Sequence, residues 1–225
     1  MSNEQIPYTL WLMNDVMPNE LFGYEKFPIQ EFLTQKKSFL ADYKIGAEGG
    51  GEIYADWLDA KCHAANLNPK HILVTLQKEQ SLIENAPVVP EQRKLDRALG
   101  FAMTDTGDQP QFYGFQRQHE TAIKDITTDY VKYSKLSIQP KKTVDGNLLT
   151  IQPLNEFTST LYEYTPWTGT RESIYFPKLG LHGVYLFWFL WKKYWPEDLG
   201  KYYHITEVEK YKRRGWLDAW FPKRS

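Results

Sequence analysis

The chain has 225 residues, a formal net charge of −1 and a sequence pI of about 6.5. That length suits one large domain or two small ones, and the balanced charge gives no global basic field for nucleic acid. A single cysteine, Cys62, excludes an internal disulfide framework and a cysteine metal cluster; it reads as a small buried apolar residue.

Met1-Ser2-Asn3-Glu4-Gln5 lacks the basic and apolar regions of a signal peptide, so the expectation is a chain made without its own export signal, or one that has been trimmed. No run of about 18 apolar residues is present, so no membrane-spanning helix is expected. Residues 1–27 bear Pro, Asn and aromatics without a clear period and read as an irregular lead-in. Pro28 to Tyr43 predicts a helix with Ile29, Phe32, Leu33, Phe39 and Leu40 as its apolar residues. Glu48-Gly49-Gly50-Gly51-Glu52 is a loop, and no Gly-Lys-Ser/Thr follows to make it a phosphate loop. Ile53 to Asn66 predicts a second helix with Ile53, Trp57 and Ala60 on one face.

The most informative stretch runs from Asn68 to Glu84. Asn68 is a good N-cap, and Pro69 fits the first helical position, where its missing N–H is not needed. The spacing predicts a central helix to about Glu84, closed by Asn85-Ala86-Pro87. On a wheel of ~100° per residue, Ile72, Leu76, Glu79 and Ile83 share one arc of roughly 60°, while Lys70, Gln77, Lys78 and Glu84 read as solvated. A carboxylate on a core-facing stripe is costly to keep ionised. Glu79 therefore either finds a buried cation, with Arg93 or Arg97 as candidates, or keeps its proton and serves as a general acid.

Further along, Glu91 to about Leu99 predicts a helix that opens near Gly100. Thr104 to Pro110 is a polar loop, and the aromatic turn Gln111 to Gln116 starts a long helix to about Leu136. His119-Glu120 begins like a zinc-protease motif, but Ile123 stands where the second histidine is required. The other histidines are scattered, so no metal and no cofactor are expected. Asp145-Gly146 between β-prone segments predicts a hairpin. Asn155 caps a helix through Glu163, Trp167 to Gly183 reads as mostly loop, and Gly183 to Trp195 predicts an aromatic helix stopped by Pro196. Residues 201–225 carry seven Lys/Arg against three acids, with Trp216, Trp220 and Phe221. That segment reads either as a weak contact with an anionic surface or as a solvated helix packing its aromatics. The inventory is mainly α (α+β) in one domain, residues 1–225, with a small β-hairpin.

Ile53-Tyr54-Ala55-Asp56-Trp57, then Leu67-Asn68-Pro69 leading to Leu76-Gln77-Lys78-Glu79-Gln80-Ser81-Leu82-Ile83, then Tyr113-Gly114-Phe115-Gln116 with Gln118 follow in order. Phe157-Thr158, Leu161-Tyr162, Tyr164-Thr165-Pro166, Gly183 and Phe187-Trp188 complete the series. In this order they resemble the lysozyme-like superfamily, in a bacterial branch related to soluble lytic transglycosylases. The likeness covers roughly residues 45–195, the implied catalytic core, followed by a basic aromatic extension at 196–225. It implies a lysozyme-like fold and a peptidoglycan-degrading glycosidase that cleaves the β-1,4 bond between MurNAc and GlcNAc, with Glu79 as general acid. It implies Gln80, Tyr113, Phe115, Gln116, Tyr162 and Tyr164 as substrate-binding residues and peptidoglycan glycan strands as the partner. Gln80 departs from the serine that usually follows the glutamate. A second carboxylate, useful to a hydrolase, has Asp105 and Asp108 as candidates. The missing signal peptide fits a phage lysin or virion muramidase acting on the cell wall after lysis-dependent release or as a virion component. The alternatives are a non-catalytic glycan-binding or structural virion protein of the same fold, and a cell-wall peptidase, for which no metal site or nucleophile is visible.

Overall fold

The computed structural model describes residues 17–46, 51–84, 90–101, 103–104, 107–131, 139–142, 148–151, 155–165 and 183–202. Among them helices dominate, and the strands form three separate two-stranded antiparallel sheets. The mainly helical class expected from the sequence is therefore observed. The chain gathers into two compact units, one spanning Glu20–Ser134 and the other Met1–Asn19 with Lys135–Ser225.

The Glu20–Ser134 unit begins with a short turn, Asn19–Leu21 at its border, and helix α1, Ile29–Gln35. The helix expected to continue to Tyr43 stops early. Lys37 adopts a left-handed φ of 52°, and Ser38 starts a new 3-10 turn by accepting a hydrogen bond from the Leu40 N–H. Strands β1, Lys44–Ile45, and β2, Glu52–Ile53, then pair across the glycine loop. The sequence predicts a plain loop there, because a ladder of two residues leaves no period to detect. Helix α2, Tyr54–Ala65, ends at a left-handed Asn66 and packs against α1.

Helix α3, Pro69–Gln80, is the centre of this unit. The Asn68 side chain accepts from the Lys70 N–H at 3.0 Å, with Pro69 inside the first turn. Every residue from Pro69 to Leu76 is buried, so the first two turns of the helix are enclosed on all sides rather than on one stripe. That overturns the solvated reading of Lys70 and Lys78, whose side chains lie largely inside. The helix also ends four residues earlier than expected. Ser81 turns left-handed at φ 55°, the Ser81 N–H returns to the Gln77 carbonyl, and Leu82 N–H reaches Leu76. The Gln77 side-chain oxygen then accepts from both Ile83 and Glu84 N–H, at 3.0 and 2.8 Å, holding the chain reversal that buries Leu82 and Ile83.

Helix α4, Gln92–Asp96, is shorter than the expected Glu91–Leu99 and gives way to a turn in which Ala98 and Leu99 are buried. The polar loop after it contains β3, Met103–Thr104, and β4, Gly107–Asp108, and a 3-10 turn at Pro110–Phe112. Helix α5, Phe115–Asp125, packs against α2 and α4 and continues as a π-helical turn, Ile126–Tyr130.

In the second unit, β5, Gln139–Lys142, pairs with β6, Leu148–Ile151, in the register Lys142↔Leu148. The hairpin expected around Asp145-Gly146 is thus present in its strands; its turn lies outside the described residues. Helix α6, Glu156–Tyr164, is capped by the Asn155 side chain, which accepts from Thr158 N–H at 2.8 Å. The Asn155 amide and the Thr158 hydroxyl both donate to the Met17 carbonyl, fixing the lead-in segment at the start of α6. Helix α7, Gly183–Tyr194, presents Phe187 and Trp191 to Phe157, with ring centroids 6.0 and 5.7 Å away. Pro196 does more than stop α7: it occupies the first position of α8, Pro196–Tyr202, which the Trp191 indole N–H anchors through Asp198 at 3.0 Å. The expected loop at 167–182 and the basic tail beyond 202 lie outside the described residues.

Candidate functional site

Glu79 sits in the last turn of α3, with its side chain 25% exposed. Of the two fates open to a carboxylate there, the structure gives the charge partner, and the partner is Lys78 rather than Arg93 or Arg97. Lys78 Nζ donates to Glu79 Oε1, from a lysine side chain only 7% exposed. The other face of the carboxylate rests against Gly100. A Cβ on that glycine would lie 2.7 Å from Oε2 and 3.0 Å from Cδ, so the carboxyl group occupies the space a side chain would fill. Gln80, the next residue, is half-buried at the helix end.

The Gly100 segment is held by α5. Gly100 has a φ of +70°, and its N–H donates to the Arg97 carbonyl at 2.8 Å. The Gln118 side chain, fully buried, accepts from Phe101 N–H at 3.0 Å and donates to the carbonyls of Phe101 and Phe112 at 3.1 and 2.8 Å. Gly114 N–H donates to the Asp96 carbonyl at 3.3 Å. The expected Gly114-Phe115-Gln116 turn therefore does start a helix, and it reaches Glu79 through the segment 96–101.

A groove of about 440 Å³ opens on the other side of that turn, lined by Tyr43 to Gly46 of the β1 region and by Gly114 to Arg117 with Glu120. Phe115 is buried beneath it, with ring centroids of Tyr43 and Tyr54 at 5.0 and 5.4 Å. Gln116 is exposed at its edge and donates to Glu120 at 3.1 Å; Lys61 donates to the same carboxylate at 2.9 Å and keeps it below the usual carboxylate range. Glu79 is not among the groove's lining residues. Beneath the groove, His119 is fully buried; its Nδ1 lies 2.7 Å from the Phe115 carbonyl and its Nε2 2.9 Å from the Tyr54 hydroxyl. A carbonyl only accepts, so Nδ1 carries the proton and Nε2 accepts from Tyr54.

Tyr113 is half-buried, and its hydroxyl donates to Asp108 at 2.9 Å while accepting from Arg97 at 3.2 Å; Arg97 also pairs with Asp108. One candidate for a second carboxylate is thus engaged by two partners, and Asp105 lies outside the described residues. Tyr162 and Tyr164 are on α6 in the other unit, Tyr162 buried and Tyr164 half-buried. Sequence reasoning misses Lys78, Gly100 and Gln118 as parts of the site. Gln118 leaves a signal: it falls on the same buried face of α5 as Phe115, Ala122 and Ile126, as Glu79 does on its own helix.

Among the described residues no group of three or more His, Cys, Asp or Glu is placed to hold a metal ion, and no helix is long and apolar enough to cross a membrane. In comparisons with known proteins, no protein-family model, no curated protein and no solved structure matches the chain.

Proposed function

We propose that the protein is a peptidoglycan-degrading glycosidase with a lysozyme-like fold, acting on the β-1,4 bond between MurNAc and GlcNAc. The observation that carries this reading is the position of Glu79: a partly exposed carboxyl group at the end of an enclosed helix, seated on a glycine, in the same unit as the Gly114 turn. In the transglycosylase version Glu79 must first take up a proton beside Lys78, and it donates that proton to the glycosidic oxygen as the C1–O bond breaks. It then takes the proton of the MurNAc 6-hydroxyl, whose oxygen closes the 1,6-anhydro ring on C1. In the hydrolytic version water attacks instead, with help from a second carboxylate. Gln80, Tyr113, Phe115 and Gln116, all in the Glu20–Ser134 unit with Glu79, are the candidates for glycan contact. The proposed site of action is the bacterial cell wall.

A second reading, a non-catalytic glycan-binding or structural virion protein, is favoured by the Lys78–Glu79 ion pair, which gives the carboxylate a structural use. Cell-wall clearing by wild type and by Glu79→Gln separates the two. The glycosidase reading expects clearing that falls by at least ~10²-fold per folded molecule in the variant, the range of general acid–base catalysis. Binding without clearing by wild type supports the second reading. Mass spectrometry of released fragments distinguishes anhydro-sugars from reducing ends and from cut peptides.

A further inference from the structure

We propose that Gly100 and Gln118 are positioning residues that together fix the Glu79 carboxyl group; its catalytic meaning rests on the reading of Glu79 as general acid. The Glu79 carboxyl lies where any Cβ at position 100 would stand, so residue 100 sets how far the group can swing toward the Gly100–Phe101 segment. A wall of that kind positions a side chain only if it is itself immobile. The Gly100–Phe101 backbone meets this condition through Gln118, which spends one acceptor and two donor contacts on Phe101 and Phe112 from a fully buried position. Ala98 and Leu99 anchor the preceding residues in the core, and the Phe101 and Phe112 rings meet edge to face at 5.3 Å. Gln118 does not line the groove, and its hydrogen bonds go to Phe101 and Phe112 rather than to Glu79, so its influence on the carboxyl group runs through this backbone.

The arrangement assigns a second duty to the Gly114 turn. Its helix carries Gln118 one turn in, and Gly114 itself ties the Asp96 carbonyl, so the turn braces the platform on which Glu79 rests. Displacing a reacting group by about 1 Å costs on the order of 10²-fold in rate, without a matching change in substrate affinity.

The test uses the full chain labelled with ¹³C at glutamate carboxyls, with the Glu79 resonance assigned by its loss in Glu79→Gln. Two variants, Gly100→Ala and Gln118→Met, are compared with wild type at fixed pH. The expected result is a displaced Glu79 resonance in both, with the Glu120 resonance unmoved. In cell-wall turnover kcat falls by at least ~10-fold and KM stays within about two-fold, the pattern of lost transition-state geometry. A Glu79 resonance unmoved in Gly100→Ala overturns the proposal, as does an unchanged kcat in an enzyme that loses activity on Glu79→Gln. Gly100→Ala adds one methyl group at a half-buried site together with the strain of an alanine at φ +70°; its melt is recorded first, and where either variant fails to fold the other decides the matter. A wild-type chain that clears no walls overturns the glycosidase reading alone, and the resonance then decides whether the seat exists.

Discussion

Glu79 takes its charge partner from the residue beside it in sequence: the ammonium of Lys78, nearly enclosed, donates to its carboxylate at the end of α3. Neighbours at i and i+1 diverge by about 100° around a helix and rarely face each other. Removing one partner from a fully buried pair costs ~3–5 kcal/mol because the other charge is stranded. Here Glu79 is a quarter exposed, so water tempers the loss. Glu79→Gln removes one charge partner of the more enclosed lysine, and Lys78→Met strands the wetter carboxylate; each should cost ~1–2 kcal/mol, below the fully buried case. In denaturant melts of both single variants and the double variant, a coupling above ~1 kcal/mol is expected. A coupling near zero would make this an ordinary surface pair.

Two buried histidines give the Glu20–Ser134 unit an acid sensitivity of definite sign. His71 and His119 are both essentially unexposed, and burial lowers their pKa values to about 3 and about 4. An unfolded histidine titrates near 6.5. Above that pH both states are neutral and the stabilisation is complete. Between about 6.5 and 4 the unfolded chain binds protons that the folded chain refuses, so stability falls with falling pH and levels off below about 3. A tenfold loss of proton affinity on folding corresponds to ~1.4 kcal/mol, so the two groups together account for several kcal/mol. Urea midpoints measured from pH 7 to pH 4 should drop steeply, and His119→Gln should reduce that slope by nearly half. A flat profile over this window would contradict the burial of both rings.

The sequence makes the start of α3 legible and hides its end, for a physical reason. Asn68 and Pro69 act on their own neighbours, so capping chemistry can be read locally. The stop depends on Gln77 turning its side chain back onto Ile83 and Glu84, a choice made by the packing of Leu82 and Ile83. A helical wheel assumes one buried face; the first two turns of α3 are enclosed all round and the Lys78 side chain is nearly enclosed in the last, so the wheel puts Lys70 and Lys78 in water where the fold surrounds them. The same enclosure supplies Glu79 with a partner that no stripe pattern would choose. The β5–β6 hairpin is legible because two four-residue strands flank the sequence Asp145-Gly146, whereas the two-residue ladders at β1–β2 and β3–β4 carry too little pattern to see. At the site, Glu79 and the Gly114 turn are legible as motifs. Gly100, which seats the carboxyl, is not, since its contact joins residues that are distant in sequence.

The Tyr113 hydroxyl is spent on Asp108 and Arg97, and that limits what it offers a sugar. Tyr113→Phe should lower stability by about 1 kcal/mol, the net worth of an ordinary hydrogen bond. Glycan affinity, measured by titration with soluble peptidoglycan fragments, should stay near wild type. A large loss of affinity with unchanged stability would instead assign the hydroxyl to the substrate.

Gly114 is where fold and ligand make separable demands. Its φ of 108° with ψ of 135° is a conformation that side-chain-bearing residues rarely adopt, yet a Cβ there would meet no atom within 4 Å. The cost of Gly114→Ala is therefore backbone strain without a clash, ~1–3 kcal/mol. Gly107 provides the comparison: its φ is 130°, a Cβ there also meets open space, and it does not line the groove. Gly107→Ala should lose stability by a similar amount and leave glycan binding unchanged. Gly114 lines the groove, so a methyl group there stands at the surface that a bound sugar would have to approach. Thermal melts and fragment titrations on both variants check the point. Loss of affinity in Gly114→Ala alone marks the groove as a glycan-contacting surface; equal behaviour of the two variants would confine Gly114 to shaping the turn that braces Glu79.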